Sequence, residues 1–99
     1  MKKNRQKISV ITPTFNRLHN VADSIDSSLR ILESNQFDEI LVIDDCSTDG
    51  TFEFLSFKYR DYINDGRISI FSNKENIGAT ASKNLGARLA RGEWLLFMD

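Results

Sequence analysis

Apolar positions along this chain follow two alternating periods. Residues 8–12 of "KISVITPTF" form a β-branched run typical of a strand, and Pro13, with no N–H to offer a ladder, marks its expected end. Leu18, Val21, Ile25, Leu29 and Leu32 then recur every three or four residues, which predicts one buried face of a helix. "EILVIDD" (39–45) is a continuous apolar run, the pattern of a strand covered on both faces. In "CSTDGTFEFLSFKYR" (46–60), Ser47 or Thr48 is the expected cap and Asp49 suits the positive end of a helix. Phe52, Leu55 and Tyr59 follow at helical spacing. "RISIF" (67–71) predicts a third strand after the turn signal "NDG". Residues 79–90 predict a further helix, with Ala81, Leu85 and Leu89 on its core face and Gly92 as its stop. "EWLLFMD" (93–99) predicts a fourth strand.

This alternation predicts an α/β fold, β-α-β-α-β-α-β, with a mainly parallel sheet, right-handed crossovers and helices on both faces. Ligands of such sheets bind beyond the carboxyl ends of the strands, near the point where strand order reverses. Those ends carry residues 12–16, the pair Asp44 and Asp45, residues 73–78 and Asp99. Polar and acidic groups from all four strands are expected to converge on one edge.

Composition narrows the ligand. With 13 basic and 14 acidic residues the net charge is −1, so nothing global attracts nucleic acid, and no nucleic-acid partner is expected. Lys2, Lys3, Arg5 and Lys7 form the one basic excess, read as a solvated tail over residues 1–7 before a domain over 8–99. A lone Cys46 excludes an intrachain disulfide and reads as a small buried filler. No apolar run approaches bilayer length. Together with the lone cysteine this leads us to expect a cytoplasmic location, at most peripheral to a membrane.

"TPTFNR" (12–17) has no glycine, which disfavours a dinucleotide turn, and no phosphate-binding P-loop pattern occurs. A carboxylate can accept N–H or O–H bonds from a base or ribose, and one beside a diphosphate calls for a divalent cation between them. Asp45 suits the first role and Asp99 the second. Structural readings stand beside these: Asp44 and Asp45 as helix caps, Asp49 and Gly50 as turn residues, Lys83 as an exposed helix lysine, Asp99 as a plain strand end. His19, early in the first helix, reads as solvent-facing. Trp94 and the phenylalanines read as core, except Phe15, whose loop position permits contact with a base.

The segments "VITPTFNR" (10–17), "VIDDCSTDGT" (42–51) and "NIGATASKNLGARLARGEWLLFMD" (76–99) resemble, in order and spacing, the successive blocks of the nucleotide-binding half of family 2 glycosyltransferases of the GT-A fold. The resemblance implies a truncated, Rossmann-like three-layer sandwich with strand order 3-2-1-4. It implies a nucleotide-diphospho-sugar donor, usually a UDP-sugar, a divalent cation (Mn or Mg), and inverting transfer to the hydroxyl of a glycan or other acceptor.

Matched position by position, Thr12, Pro13, Phe15, Asn16 and Arg17 lie along the nucleotide. Asp45, with Asp44 beside it, contacts uracil or ribose; Asn76, Gly78 and Lys83 border the diphosphate. Asp99 is the first aspartate of a DxD motif and a metal ligand. The catalytic base and the acceptor half are expected beyond Asp99, so residues 1–99 alone are expected to be inactive and to self-associate through the edge of the fourth strand. The alternative is a non-catalytic nucleotide-binding or regulatory module. A receiver domain would want its acidic pair after the first strand, and a nucleotidyltransferase would want a glycine- and arginine-rich loop there.

Overall fold

The computed structural model describes residues 7–35 and 39–98, apart from the side chains of 31–35. Its elements are β1 (Ile8–Thr14), α1 (Val21–Asn35), β2 (Glu39–Asp44), α2 (Thr51–Lys58), α3 (Arg60–Asn64), β3 (Ile68–Ser72), α4 (Ala79–Leu89) and β4 (Trp94–Phe97). All strand pairs are parallel, and the order is β3-β2-β1-β4, as expected. β2 is buried at every position, in keeping with its unbroken apolar run.

Successive strand residues face opposite sides of the sheet, and this sorts the helices. Val10, Ile40, Val42 and Ile68 pack with Val21, Ile25 and Leu29 of α1, Leu55 of α2, and Tyr59. The odd-numbered neighbours Ile11 and Ile43 instead meet Gly86 of α4. Helices α1 to α3 therefore cover one face and α4 the other. Among the described residues, no helix is long and apolar enough to cross a membrane.

Several expectations are corrected. β1 does not stop at Pro13 but runs to Thr14, with Pro13 opposite Ile43. The Thr14 carbonyl accepts from Asp45 after β2 and the Ile11 carbonyl from Met98 after β4. Backbone groups alternate sides, so the nitrogen of Pro13 faces the β4 side, beyond the last β1–β4 pair, Ile11 with Phe97. No ladder bond is lost there, which is why proline is tolerated.

The helix expected after Asp45 is two short ones. They break at Tyr59, which is buried and whose hydroxyl donates to Asp26 of α1 at 2.6 Å. Neither Ser47 nor Thr48 caps α2; Gly50 does, at φ 91°, with no side-chain bond. Leu18 and His19 precede α1 rather than opening it, and His19 is exposed as expected. The side chain of Leu32 lies outside the described residues.

The buried face of α4 is Ser82 and Gly86, not Ala81, Leu85 and Leu89. Small residues let the helix press onto the sheet: a Cβ on Gly86 would stand 2.5 Å from Ile11 Cγ2. Gly92 does not stop α4, which ends at Leu89 with Ala90 extended. Instead it passes so close to β1 that a Cβ would meet Ser9 and the Lys7 carbonyl within 2.9 Å. That carbonyl accepts from Glu93 and Trp94, so the folded body takes in Lys7, the last residue assigned to the tail; residues 1–6 lie outside the described residues.

Trp94 is not core: it is 55% exposed, and every residue of β4 is exposed. Phe54, Phe57, Phe71 and Phe97 are exposed too, Phe52 is half-buried, and Phe37 lies outside the described residues. Cys46 is half-buried rather than a filler, at φ 63°, with its thiol turned to the Lys74 carbonyl.

Candidate functional site

β4 pairs with β1 only as far as Ile11, whereas β2 pairs as far as Thr14. The carboxyl end of β1 therefore projects past β4, between α1 on one face and α4 on the other. A cavity of about 620 Å³ opens there. It lies where the strand order reverses, the position at which parallel α/β sheets bind ligands.

Of the residues singled out in the sequence, Thr12, Pro13, Phe15, Arg17, Asp45, Asn76, Gly78 and Lys83 line this cavity. Asn16 and Asp44 do not; they brace it. Asp99 lies outside the described residues. The wall also includes Thr14, which period-two alternation from Thr12 places on the same face. Asn20, Asp23, Ser24 and Ser82 also line it, beside Val21 and Ala79; these four carry no sequence signal, since they reach the cavity only through the docking of α1, with the turn before it, and of α4.

Two hydrogen-bond networks shape the rim, one from each member of the acidic pair. Asp44 is fully buried and accepts from the amide and hydroxyl of Ser47. The Ser47 hydroxyl oxygen in turn accepts from the Asn16 amide at 2.8 Å, and the Asn16 side-chain oxygen accepts from the Thr48 amide at 2.8 Å. Asp49 accepts from the Leu18 amide at 3.0 Å with one oxygen and from the amide and hydroxyl of Thr51 with the other. The Thr51 hydroxyl, then the Leu18 and Thr51 amides, hold the Asp49 carboxyl below the ordinary aspartate range. These bonds pin the loop after β1 to the loop after β2. Asn16, at φ 50°, sits at the crossing.

Asp45 serves the other side. It is 4% exposed. Its Oδ1 accepts from Asn73 Nδ2 at 3.0 Å and the Ile77 amide at 2.8 Å, and its Oδ2 accepts from the Gly78 amide at 2.8 Å. Asn73 Nδ2 also donates to the Ser82 hydroxyl at 3.2 Å, tying the network to α4. Burial is the largest influence on the Asp45 carboxyl and raises its pKa. The Ile77 amide, Asn73 and the Gly78 amide together outweigh burial and leave it below the ordinary range.

The Asp45 backbone carbonyl accepts from Asn76 Nδ2 at 3.3 Å, and Gly78 opens α4 at φ 93°. Two further polar groups stand out: the Thr12 and Thr14 hydroxyls are buried with no partner among the described residues. Among the described residues no group of three or more His, Cys, Asp or Glu could hold a metal ion. Asp99, the residue that the resemblance assigns to a cation, lies outside them.

A parallel sheet in the order β3-β2-β1-β4, with a cavity at its reversal point and an acidic pair bracing the rim, defines a Rossmann-like α/β domain of GT-A type. The model of Glycosyl transferase family 2 matches residues 9–99, and the chain belongs to that family. It is 36% identical to the putative teichuronic acid biosynthesis glycosyltransferase TuaG of Bacillus subtilis, over 93% of this chain and 34% of that protein. Among solved structures it resembles S. aureus TarS in complex with UDP-GlcNAc, with TM-score 0.75 and 30% identity over 92% of this chain and 25% of that one. It also resembles the mannosyltransferase PcManGT from Pyrobaculum calidifontis in complex with GDP-Man and Mn2+. There the TM-score is 0.75 with 26% identity, over 93% of this chain and 26% of that one. The chain thus spans about a third or less of the length of these relatives.

Proposed function

We propose that this chain binds a nucleoside-diphosphate sugar, a UDP-sugar first, in the cavity over the end of β1. On this reading it supplies the donor-binding part of a glycosyltransferase that transfers the sugar, with inversion, to an acceptor hydroxyl. One observation carries the proposal: two loops and α4 bring Phe15, Arg17, Asn76, Gly78 and Lys83, distant in sequence, to a single cavity. Phe15 is 46% exposed and offers a ring face to a base. Arg17 and Lys83 supply the cations that a diphosphate requires. Gly78, without a Cβ, lets phosphate oxygens approach the first amides of α4, where the helix favours negative charge.

The UDP-GlcNAc and GDP-Man complexes of the two structural relatives support a nucleotide-sugar and leave the base to be measured. We assign Asp99 to a divalent cation, Mn2+ or Mg2+, on the family resemblance and on the Mn2+ in the mannosyltransferase complex. Such a cation, when bound, offsets the charge of the departing diphosphate. The base that activates the acceptor is not assigned to any residue of this chain, so we expect binding here without transfer.

The test is calorimetric titration of the chain with UDP, GDP and TDP, each with and without Mn2+. Binding tightest for UDP is expected. No binding to any of the three under either condition would refute the donor-site reading.

A further inference from the structure

We infer that Asn16 and Asp49 are positioning residues: they clamp the loop after β1 to the loop after β2 and thereby aim Phe15 and Arg17 into the cavity. This role rests on the donor-site reading above. Two kinds of residue alternate in the first loop. Phe15 and Arg17 line the cavity, whereas Asn16 and Leu18 do not. The Asn16 amide donates to the Ser47 hydroxyl and its side-chain oxygen accepts from the Thr48 amide, both at 2.8 Å. The Leu18 amide donates to Asp49 Oδ2 at 3.0 Å, and the Thr14 carbonyl accepts from the Asp45 amide at 2.8 Å. Every second residue from Thr14 to Leu18 is thus tied to the neighbouring loop, and the two between them reach the cavity.

Phe15 needs such a frame. At 46% exposure it has too little packing around its ring to fix its own direction, so the backbone on either side must do so. Asn16 holds φ 50°, a left-handed conformation that asparagine adopts more readily than most residues. The Arg17 carbonyl accepts from the Asn20 and Val21 amides, so the clamped loop also sets where α1 begins. Asp49 anchors the other side: its Oδ1 accepts from the Thr51 amide at 3.0 Å, which joins the clamp to the first turn of α2. A loop fixed before a ligand arrives lowers the ordering cost of binding.

If Asn16 and Asp49 were turn residues with no bearing on the ligand, a double-mutant cycle would show it. We would titrate wild type, Asn16→Ala, Phe15→Ala, the double variant and Asp49→Ala with UDP, following amide chemical shifts. Positioning predicts that Asn16→Ala weakens UDP about tenfold, the cost of ordering roughly one backbone residue on binding. In the Phe15→Ala background the same change should cost only about threefold or less, because part of what it aims is gone. Asp49→Ala should also weaken UDP, by about threefold, although it removes a negative charge that by itself opposes a diphosphate. Without ligand, hydrogen exchange at the Leu18 amide should quicken in Asn16→Ala, even though its own acceptor, Asp49, is intact.

Unchanged UDP binding by Asn16→Ala, a loss that is the same with and without Phe15, or tighter binding by Asp49→Ala would each overturn the inference. Asn16→Gly, which accepts φ 50° without strain yet still removes the Thr48 bond, takes the place of Asn16→Ala if that variant fails to fold. If Asp49→Ala fails to fold, the Asn16 cycle decides alone. A wild-type chain that binds no UDP, GDP or TDP refutes the donor-site reading, and with it this role. Wild-type binding with an additive cycle refutes the role and leaves that reading standing.

Discussion

Glu39 opens β2 at the amino edge of the sheet, opposite the cavity, and is 2% exposed. Its Oε2 accepts from the Ser9 hydroxyl and the Arg91 amide, each at 2.6 Å, and its Oε1 accepts from Arg91 Nε at 3.0 Å. The Ser9 oxygen accepts in turn from the Gly92 amide at 2.9 Å. One buried carboxylate therefore joins β1, β2 and the link from α4 to β4. Glu39→Gln keeps the shape but turns an amide NH₂ toward one of these donors. Each hydrogen bond to a charged group contributes about 1.5–3 kcal/mol, and the Arg91 side chain, 72% exposed, adds little as an ion pair. A loss of about 2–3 kcal/mol is expected, a large part of the roughly 5–15 kcal/mol of a small domain.

The pH dependence has a definite sign. Burial is the largest influence on the Glu39 carboxyl and raises its pKa, but Ser9 and the Arg91 amide and guanidinium together hold it below the ordinary value. A depressed folded pKa stabilises the fold above the unfolded value of about 4.3, and that stabilisation is lost as pH falls through the folded value. Wild type should therefore exceed Glu39→Gln at pH 7, and the gap should narrow on acidification below about pH 4. Urea unfolding at pH 7 and pH 3 measures both. Equal midpoints at pH 7, or a gap that does not change with pH, would refute the reasoning.

Two further expectations concern single positions. Thr12→Val and Thr14→Val remove buried hydroxyls that have no partner among the described residues, so each should be neutral or stabilising by up to about 1 kcal/mol in urea unfolding. A comparable loss in either variant would mean that its hydroxyl is satisfied after all. Gly92→Ala would place a Cβ 2.6 Å from Ser9 Oγ, 2.8 Å from Ser9 N and 2.9 Å from the Lys7 carbonyl. Backbone atoms cannot swing aside, so a cost of about 2 kcal/mol or more is expected, with faster hydrogen exchange at the Glu93 and Trp94 amides. Unchanged exchange at both amides would count against the close packing.

The four strands and their order were legible because β-branched runs separated by helical spacing leave few ways to build a parallel sheet. The strand ends likewise located the cavity, and eight of the predicted contact residues line it. What stayed hidden depended on distances between elements. The stripe of Ala81, Leu85 and Leu89 is the more hydrophobic, yet α4 buries Ser82 and Gly86, because close approach to Ile11 rewards small size over apolarity. Gly92 looked like a helix stop for a similar reason: a glycine required by a close approach and one required by a left-handed turn are identical in sequence. Exposure along β4 was illegible because apolar character marks a strand without saying whether both of its faces are covered.

The acidic pair follows from the same parity that sorts the helices. Neighbouring strand residues point to opposite faces, so Asp44 shares the side of Ile40 and Val42, and Asp45 shares the side of Ile43 and α4. Two carboxylates in succession would repel if they shared a space, but each faces its own donors. Asp44 meets Ser47, which holds the Asn16 amide; Asp45 meets Asn73, Ile77 and Gly78. One strand end can thus fix the loops on both flanks of the cavity. Moving either aspartate by one residue would turn it to the wrong face, so the adjacency that looks unfavourable in sequence is what a two-sided brace requires.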